Sequence, residues 1–485
     1  MTDDARSAAL PAVDLDPLFA RQRAAFDTHR YPNPRERMEH IAALEALVLG
    51  HQTAVANAIS ADFRGRCPEE TRSLEMLPLV CSMRLARRHL RSWMRGERRW
   101  PYWFTLPATA RVSYQPLGVV GIVTPWNYPL LLSLGPAVAA LAAGNRVMIK
   151  ISEYTPRFGE LLRTLVASTF DDATLTVILG NESVARQFTQ LPLQHLFFTG
   201  STAVGKEIMR CAAPHLTPVT LELGGKCPAI IGEDTDFGPA LRLLWHAKLL
   251  NAGQSCVAPD HVYLPRRHLD RFVQYSRAVV ANLYPTLLQN PDYTSIANDR
   301  GHRRLMALLK DAASRGATLH TINPGSERAA SFTEKMAPTI VLDTDREMRI
   351  SQEEVFGPVL PVLPYDTFEE VITAINGSDP PLAVILLTNS RSIIDRVRQD
   401  TRSGVVTTNS ALVHFGQDSI PLGGVGPSGM GRYHGREGFV TFSNTRAEYR
   451  QYRPHALGLA LPPGRSALKR RVLDFLLGHA QQEQG

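Results

Sequence analysis

The sequence predicts an α/β protein with two domains, each built on a largely parallel sheet. From Val119 onward, short β-branched or apolar runs end in small or polar residues, and a helical segment follows each run. This alternation of strand and helix is typical of a parallel sheet covered by helices. The length of 485 residues also exceeds what one hydrophobic core usually fills, so at least two domains are expected.

The composition excludes several classes of protein. It is 44% hydrophobic and 20% charged, without a low-complexity tract, which excludes a mainly disordered chain. The net charge of +7 comes from 53 basic and 46 acidic residues spread along the chain. The densest basic stretch is RLARRHLRSWMRGERR, where arginines recur at helical spacing. No nucleic-acid-binding motif accompanies it, so we interpret it as a solvated helix face and expect no nucleic-acid partner.

The cysteines and the first residues indicate a reducing compartment. The five cysteines are scattered and odd in number, which does not fit a disulfide framework. No CxxC pair or HExxH motif is present, so the sequence predicts no metal site. The opening stretch MTDDARSAALPAVDLDP lacks the basic and apolar segments of a secretory signal. We therefore expect a cytoplasmic protein.

The predicted elements follow one another in a regular order. Residues from about 15 to 97 are predicted to be mostly helical, and WPYWFTLPATARVSYQPLG predicts an exposed hairpin because aromatic and β-branched residues alternate. Five strands are then expected at VVGIVTP, RVMIKIS, TLTVILG, HLFFTG and VTLELGG. A domain boundary is expected near Gly224 and Gly225. Beyond it, further strands are expected at PAIIGE, DHVYLP, APTIVLDT, GPVLPVLPYD, LAVILLTN and GVVTTN.

Two apolar stretches raise the question of membrane contact. The run PLLLSLGPAVAALAAG is shorter than the ~20 residues that a spanning helix needs, so we expect a buried helix. The tail SALKRRVLDFLLGHAQQ predicts an amphipathic helix with a basic cluster at 469–471. The residues of its opposite, apolar face are Leu468, Val472, Leu473, Leu476 and Leu477. Such a helix can lie on an anionic membrane. We favour docking against its own domain or a second subunit.

The stretch FTGSTAVGKE follows a strand and opens a helix. It satisfies the glycine spacing of a P-loop through Gly200 and Gly205, but Glu207 occupies the position where a P-loop needs a hydroxyl group. Gly200 and Ser201 at a helix start still offer free backbone N–H groups that suit one pyrophosphate. The alternative is a tight turn that needs glycine for steric reasons alone.

Three more stretches carry candidate catalytic groups. Glu222 in VTLELGGK ends an apolar strand, where burial raises a carboxyl pKa towards that of a general base, unless the group pairs with Lys226. Asn127 in TPWNYP could donate to an oxyanion, or serve only as a turn residue. Cys256 in NAGQSCVAPD lies among small residues, where a free cysteine is either core filler or a nucleophile.

Two stretches carry candidate nucleotide contacts. Lys150 and Glu153 in MIKISEYTP lie just past a strand, where an α/β sheet meets the hydroxyls and phosphates of a nucleotide; the alternative is a surface ion pair. The stretch SQEEVFGPVLP, which contains Glu354 and Phe356, alone indicates only a loop that leads into a strand.

The order and separation of these motifs resemble the aldehyde dehydrogenase superfamily from about residue 115 to 445. NAGQSCVAPD and GPSGMGRYHG resemble its class 3 and coniferyl aldehyde dehydrogenase branch. The resemblance implies an NAD-binding Rossmann-like domain (1–98 and 118–223), an α/β catalytic domain (224–414) and a small β oligomerisation element (99–117 and 415–445). Residues 446–485 then form an amphipathic tail, and a homodimer is expected.

The resemblance also assigns roles to individual residues. Cys256 falls on the family's nucleophile, Glu222 on its general base and Asn127 on its oxyanion amide. Its cofactor contacts fall on Trp126, Lys150, Glu153, Gly200, Ser201, Gly205, Glu354 and Phe356. NAD is the expected cofactor because Glu153 would repel a 2′-phosphate, although relatives in this branch also accept NADP.

The implied reaction is the oxidation of an aldehyde to a carboxylic acid through a cysteine thiohemiacetal and thioester. Coniferyl-type aromatic aldehydes are the expected substrates, followed by medium- and long-chain aliphatic aldehydes. Three alternatives stay open: acyl transfer to coenzyme A, a cysteine hydrolase using His195 or His414, and a non-catalytic binding protein. The chain also departs from common family patterns at Pro136, where many relatives have a lysine, so proton transfer is expected to depend on Glu222 alone. It departs again at Leu422 and Asn444, which leaves the substrate range open.

Overall fold

The structure is a computed structural model that describes residues 14–327, 334–453 and 466–477. Its α-helices, in chain order, are α1 (Asp16–Thr28), α2 (Pro34–Gly50), α3 (Gln52–Asp62), α4 (Pro68–Thr71), α5 (Leu77–Met94), α6 (Pro129–Ala143), α7 (Pro156–Thr169), α8 (Glu182–Thr189), α9 (Thr202–Ala212), α10 (Phe237–Leu249), α11 (Leu269–Leu283), α12 (Asp299–Ser314), α13 (Arg349–Gln352), α14 (Phe368–Asn376), α15 (Arg391–Asp400), α16 (Gly435–Thr441) and α17 (Ala467–Leu477).

The strands form three sheets. In chain order they are β1 (Glu97–Arg99), β2 (Ala108–Pro116), β3 (Val119–Val123), β4 (Arg146–Lys150), β5 (Leu175–Ile178), β6 (His195–Gly200), β7 (Val219–Leu223), β8 (Pro228–Ile231), β9 (His261–Pro265), β10 (Thr318–Thr321), β11 (Thr339–Leu342), β12 (Val359–Tyr365), β13 (Ala383–Leu387), β14 (Val405–Thr408), β15 (Gly429–Met430) and β16 (Ser443–Gln451). The predicted α/β fold class is confirmed.

The first domain contains a sheet in the order β15-β7-β6-β3-β4-β5. Strands β3 to β7 are parallel, and β15 pairs antiparallel with β7. The five strands predicted in this region are all present. From β3, the chain first adds β4 and β5 on one side of the sheet and then returns to add β6 and β7 on the other side. In such sheets, ligands bind in the crevice at the carboxyl ends of the two strands where this reversal occurs, here β3 and β6.

The N-terminal helices and α6 cover one face of this sheet. Buried side chains of α2, α3, α5 and α6 share one core with β3 and β4. Helix α6 corresponds to the stretch PLLLSLGPAVAALAAG and is buried along nearly its whole length, as predicted. It ends at Gly144, whose φ of 91° suits the left-handed C-terminal position. No helix of the described ranges is long and apolar enough to cross a membrane.

The second domain contains a sheet in the order β10-β11-β12-β9-β8-β13-β14. All its predicted strands are present and parallel. Strand β10, which the sequence did not predict, adds antiparallel to the edge beside β11. Helices α10, α11 and α12 pack on one face of the sheet, and α14 and α15 pack on the other.

A third sheet, in the order β1-β2-β16, is antiparallel. The stretch predicted as an exposed hairpin, 100–118, forms only one strand, β2; its hairpin partner β1 lies just before the stretch. The pairing of β2 with β16 runs from Ala108↔Gln451 to Pro116↔Ser443. Strand β16 therefore continues past residue 445, where the sequence analysis began the tail. Most of residues 415–442 lie outside this sheet, since β15 pairs with β7 and α16 packs on α6.

The described part of the C-terminal tail is helix α17. Its side chains Leu468, Leu473, Phe475 and Leu477 are exposed. These side chains therefore do not bury an apolar face against their own domain, which was one of the two dockings we favoured. Docking against a second subunit stays a prediction.

Candidate active site

The candidate site lies where the two main sheets meet. Strand β7 ends at Leu223 and β8 begins at Pro228, so only residues 224–227 connect the sheets. This short link brings the carboxyl edge of the first sheet against the amino edge of the second. The loops after β3, β4, β6 and β7 lie at the first edge, and the loops before β8, β9 and β12 lie at the second. The candidate catalytic and cofactor-binding residues singled out in the sequence belong to these loops or to the adjoining strands and helices.

Cys256 lies in the loop between α10 and β9. Three consecutive residues before it, Asn251, Ala252 and Gly253, have left-handed φ values of 52°, 50° and 73°. For residues other than glycine this conformation costs energy and persists only where surrounding contacts enforce it. A Cβ on Gly253 would lie 2.5 Å from the carbonyl oxygen of Gly357, so this loop packs directly on the one before β12.

Hydrogen bonds fix the loop around the thiol. Gln254 donates from Nε2 to the carbonyls of Asn251 (2.9 Å) and Ser295 (3.0 Å), and its Oε1 accepts from Ala297 N (3.0 Å). Cys256 itself is only partly buried and packs against the small apolar cluster that contains Cys227 and Leu382. Its carbonyl oxygen accepts from the buried thiol of Cys227 at 3.1 Å.

Asn127 lies directly beside this loop. Its Nδ2 donates to the carbonyl oxygen of Gln254 at 3.1 Å, and its own carbonyl accepts from Asn251 Nδ2 at 3.0 Å. An amide carries two N–H groups. One therefore fixes Asn127 on the cysteine loop while the second is left for a ligand. The backbone N–H groups of Cys256 and Val257 lie at the sulfur itself.

The surroundings of Cys256 favour the neutral thiol. Burial, followed by the negative charges of Glu354 and Glu222, raises its pKa to about 12. The backbone N–H groups oppose this shift. The strongest charged neighbours are thus carboxylates rather than a histidine. His195 bonds to Thr220 at 3.0 Å within the first sheet, so the structure does not support it as the partner of a hydrolase cysteine.

Glu222 ends strand β7 and is buried, with one carboxylate oxygen, Oε1, lacking a hydrogen-bond partner among the described residues. Burial raises its pKa to about 8, and the positive charge of Arg432 opposes that shift. The alternative pairing with Lys226 is not observed, because Lys226 Nζ bonds Asp260 (2.5 Å) and the carbonyls of Ile350 and Glu353. Glu222 is therefore a buried carboxyl group that faces the same thiol without a fixed partner.

Glu354 and Phe356 approach from the loop before β12. The backbone N–H of Gly225 donates to the Glu354 carboxylate, and a Cβ on Gly224 would clash with it. Burial and the charge of Asp260 raise the pKa of Glu354 to about 8. Phe356 has a φ of 48° and its ring lies 5.6 Å from that of Trp126. The two aromatic rings thus connect the loops of both domains.

The helix start after β6 faces solvent. Ser201 caps α9 by accepting from Val204 N at 3.4 Å, and Thr202 Oγ1 donates to the carbonyl of Pro427 at 2.9 Å. Gly205 lies inside α9, where a Cβ would meet Leu223 at 2.8 Å. Gly205 therefore allows the helix to pack closely on the sheet, while Gly200 and Ser201 lie at the turn itself.

Lys150 and Glu153 lie past the end of β4. Lys150 is buried and donates from Nζ to the carbonyl of Ile151 at 2.7 Å, while the half-exposed Glu153 places Oε2 3.9 Å from that Nζ. This is a loose ion pair at the rim of the crevice, so the carboxylate of Glu153 is accessible to a ligand.

These residues fit a dinucleotide. The start of α9 offers N–H groups and a positive helix end for a pyrophosphate, and Glu153 offers a carboxylate for ribose hydroxyls. The Thr199 hydroxyl, at the end of β6, is buried and has no protein partner within the described ranges. The donor set therefore suits a phosphorylated, hydroxyl-rich ligand laid across the carboxyl edge of the sheet.

The sequence did not reveal several groups that support this site. Glu70 accepts from Asn251 N at 3.3 Å, and Arg66 and Glu75 bond to the loop that carries Asn127. All three come from the N-terminal helical region. A fully buried arginine near two acidic residues is only recognisable once the fold brings them together.

The fold and the cleft define a class of protein: an α/β enzyme with a thiol and a buried carboxyl group beside a nucleotide-type sheet edge. The chain belongs to the aldehyde dehydrogenase family, whose sequence profile it matches over residues 5–447. It is 44% identical over 464 residues to a Pseudomonas aeruginosa protein named "Probable coniferyl aldehyde dehydrogenase", covering 96% of each chain. It is 42% identical over 441 residues to the coniferyl aldehyde dehydrogenase of Pseudomonas sp. strain HR199, covering 90% of this chain and 91% of that one.

A solved structure agrees with this membership. The Mycobacterium tuberculosis aldehyde dehydrogenase complexed with NAD⁺ matches with a TM-score of 0.80 and 30% identity, covering 90% of each chain. The predicted family, fold and enzyme class are thus confirmed. The protein is an oxidoreductase that oxidises aldehydes with NAD or NADP, and the hydrolase and non-catalytic alternatives are set aside.

Proposed function

We propose that this enzyme oxidises coniferyl-type aromatic aldehydes to carboxylic acids, with NAD as the oxidant and water as the acyl acceptor. Medium- and long-chain aliphatic aldehydes are the second substrate class. The names of the two Pseudomonas relatives support the aromatic class. The observation that carries the chemistry is the hydrogen bond from Asn127 Nδ2 to the loop of Cys256. The thiol of that loop is also close enough to Glu222, a buried carboxylate with an unpartnered oxygen, for the charge of Glu222 to shift the pKa of the thiol.

The first step activates the nucleophile. Because the pKa of Cys256 is raised to about 12, the thiol must give up its proton as it attacks the aldehyde carbon. Glu222 is the group placed to accept that proton when it is ionised. The bond from sulfur to carbon then forms as the carbonyl oxygen becomes an oxyanion.

The oxyanion is stabilised by donors already in place. The backbone N–H of Cys256 lies at the sulfur, and the Asn127 amide, held on the cysteine loop by one N–H, has a second N–H to donate to the oxyanion. Loss of one such donor typically costs about 10²–10³ in rate. When bound, the nicotinamide supplies the acceptor for the hydride that leaves the thiohemiacetal carbon, and Cys256 is then left as a thioester.

The last step releases the acid. Glu222 first loses to solvent the proton that it took from Cys256. The ionised carboxylate then takes a proton from water, and the hydroxide attacks the thioester carbon. As the carbon–sulfur bond breaks, Glu222 returns this proton to the sulfur, so the carboxylic acid departs and the Cys256 thiol is restored. A coenzyme A acceptor would not need a buried base at this position, so Glu222 supports water as the acceptor.

The preference for NAD rests on Glu153. Its carboxylate is accessible at the rim of the crevice, where it would accept a bond from a ribose 2′-hydroxyl and repel a 2′-phosphate. Glu153→Gln is therefore expected to raise the kcat/KM ratio of NADP to NAD by about tenfold, the effect of ~1.4 kcal/mol. An unchanged ratio would refute the assignment.

The proposed function is tested by following nicotinamide reduction with purified protein, NAD or NADP, and a panel of aromatic and aliphatic aldehydes. Cys256→Ala is expected to lower kcat by about 10³-fold or more, since no other group can form the thioester. Cys81→Ala is the matched control, because Cys81 is an exposed cysteine on α5. Full activity of Cys256→Ala would overturn the mechanism, and a preference for aliphatic aldehydes would overturn the substrate class.

We also infer a homodimer in the cytoplasm. The exposed β1-β2-β16 sheet offers a free edge and an aromatic surface to a second subunit. The five free cysteines are in keeping with a reducing compartment.

A further inference from the structure

The N-terminal helical region contains a buried ion pair next to the candidate site. Arg66 Nη1 lies 2.8 Å from Glu75 Oε1, and both side chains are fully buried. Burying two charges is costly, and such a pair contributes little net stability compared with apolar residues of similar size. Its presence therefore needs another explanation.

Both partners of the pair bond to the segment that carries Asn127. Glu75 Oε2 accepts from the backbone N–H groups of Leu130 (2.8 Å) and Leu131 (3.1 Å), which lie in the first turn of α6. Arg66 Nη1 also donates to the carbonyl oxygen of Asn127 at 3.3 Å. The carboxylate thus fixes the start of the helix, and the guanidinium fixes the peptide of the amide residue itself.

A π-helical turn places Glu75 beside the start of α6. Residues Arg72–Met76 form a π-helical turn between α4 and α5, which adds a residue to the turn and rotates the face that follows. Such turns are rare and occur often at functional sites. The Arg66 guanidinium lies over the rings of Phe63 and Tyr128, each 5.1 Å from its centroid, which fixes its plane.

We infer that Arg66 and Glu75 are positioning residues for Asn127, an assignment that rests on the proposed role of that amide as the oxyanion donor. Asn127 is fixed at two points: its backbone carbonyl oxygen, which accepts from Arg66 and Asn251, and its side-chain Nδ2, which donates to the cysteine loop. Removing the ion pair leaves the carbonyl oxygen with the bond from Asn251 alone. The amide then loses its alignment with the sulfur, and kcat falls while substrate binding changes little.

The test measures kcat, KM and melting temperature for Glu75→Gln, alone and combined with Asn127→Ala. Misplacement of a catalytic group by about 1 Å can cost 10²-fold, so a fall in kcat of about 10- to 100-fold is expected for Glu75→Gln. In the Asn127→Ala background the same change is expected to alter kcat by less than about twofold, because the group it positions is gone. Glu69→Gln, which changes an exposed carboxylate on the preceding helix α4, is the matched control.

A second variant tests whether a loss of kcat could come from misfolding instead of from the loss of positioning. Arg66→Met combined with Glu75→Leu removes both charges of the pair, and the neighbouring buried carboxyl group of Glu70 keeps its bonds from Asn251 N and Thr294. This double variant is therefore expected to fold. It should show the same loss of kcat with an unchanged rate of Cys256 alkylation by iodoacetamide, a reaction that forms no oxyanion. The inference is overturned if this double variant folds with full kcat, or if Glu75→Gln lowers kcat equally with and without Asn127. If Asn127→Ala alone has no effect, the proposed role of the amide fails instead, and the inference falls with it.

Discussion

Glu222 is the residue whose environment most directly predicts its behaviour. Glu222 takes the proton of Cys256 in the first step and activates water in the last, so its loss should slow formation of the thioester and largely stop its hydrolysis. Glu222→Gln is therefore expected to reduce about one nicotinamide per active site in a burst slower than that of the parent, and then to turn over about 10²- to 10⁴-fold more slowly. Stopped-flow absorbance measures both phases.

The control for that experiment is Glu207→Gln, which changes an exposed carboxylate on α9 that pairs with Arg210. It should leave burst and turnover unchanged. If Glu222→Gln lacks the burst as well, the carboxylate is needed before the thioester, and its main role lies in deprotonating Cys256.

The pKa of Glu222 predicts the pH dependence of the same step. Burial raises that pKa from 4.5 to about 8, so the carboxyl group is protonated and inactive as a base at lower pH. Thioester hydrolysis should rise about tenfold per pH unit below 8 and level off above it. Rapid quench of a preformed thioester between pH 6 and 10 provides the measurement, and a flat profile would contradict the assignment.

The raised pKa of Glu222 also makes the free energy of unfolding depend on pH. The folded state retains the proton that the unfolded chain loses near pH 4.5, so the stabilisation due to neutral Glu222 is fully present below 4.5 and is lost as the pH rises through about 8. Activity and stability therefore change in opposite directions with pH at this one residue. This is an expected property of a buried base.

The sequence could identify Cys256, Glu222 and Asn127 as candidates because each lies in a short motif at a strand or loop boundary. It could not identify Arg66 and Glu75. A helical pattern read at 3.6 residues per turn assigns faces wrongly after a π-helical turn, and nothing in RSLEM marks that turn. The partners of Glu75 also lie more than fifty residues away.

At the scale of elements, the loop before Cys256 depends on three left-handed residues in succession. Gly253→Ala would place a Cβ 2.5 Å from the Gly357 carbonyl at a φ of 73°. Strain and clash together should lower the free energy of unfolding by about 1–3 kcal/mol. Displacement of the thiol should also lower kcat by about 10²-fold.

Gly238→Ala is the control for this loop. Gly238 lies in α10, and its Cβ would meet no atom within 4 Å. Replacing glycine by alanine in a helix is expected to raise the free energy of unfolding by about 0.5–1 kcal/mol, with kcat unchanged. Chemical denaturation of both variants measures the stabilities. Equal effects of the two changes would contradict the role of the left-handed loop.

Most strands were predictable because they are apolar runs between turn residues. Strands β10 and β16 were not, for a physical reason. The TLHT of β10 and the SNTRAEYRQ of β16 are largely exposed, so no alternation of apolar and polar residues marks them. Their pairing comes from partners far along the chain, β11 and β2, rather than from burial.

At the scale of the whole molecule, the order of strands along the chain explains the position of the site. The sequence indicated two parallel sheets and a boundary at Gly224 and Gly225. It could not show that the carboxyl edge of one sheet faces the amino edge of the other. That arrangement brings Glu222, near the end of β7, close enough to Cys256, in the loop before β9, for its charge to raise the pKa of the thiol.

The exposed surface of the β1-β2-β16 sheet predicts that the protein is a dimer. Trp100, Tyr102, Trp103, Phe104, Leu106 and Tyr449 are exposed on and beside this sheet. A contiguous aromatic surface of this kind marks an interaction site, and a free strand edge can pair with a second chain. Light scattering after size exclusion should therefore give twice the chain mass of 53.6 kDa.

Trp103→Arg combined with Tyr449→Arg should shift this mass towards that of the monomer, because two charges would have to be buried in the interface. Leu216→Arg is the control, since Leu216 is equally apolar and 88% exposed but lies next to α9 on the first domain. The mass of this control should not change. A parent protein that stays monomeric at micromolar concentration would contradict the dimer. A double variant that stays dimeric would contradict the aromatic surface as its interface and leave the free edges of β14 and β16 as the surfaces that pair.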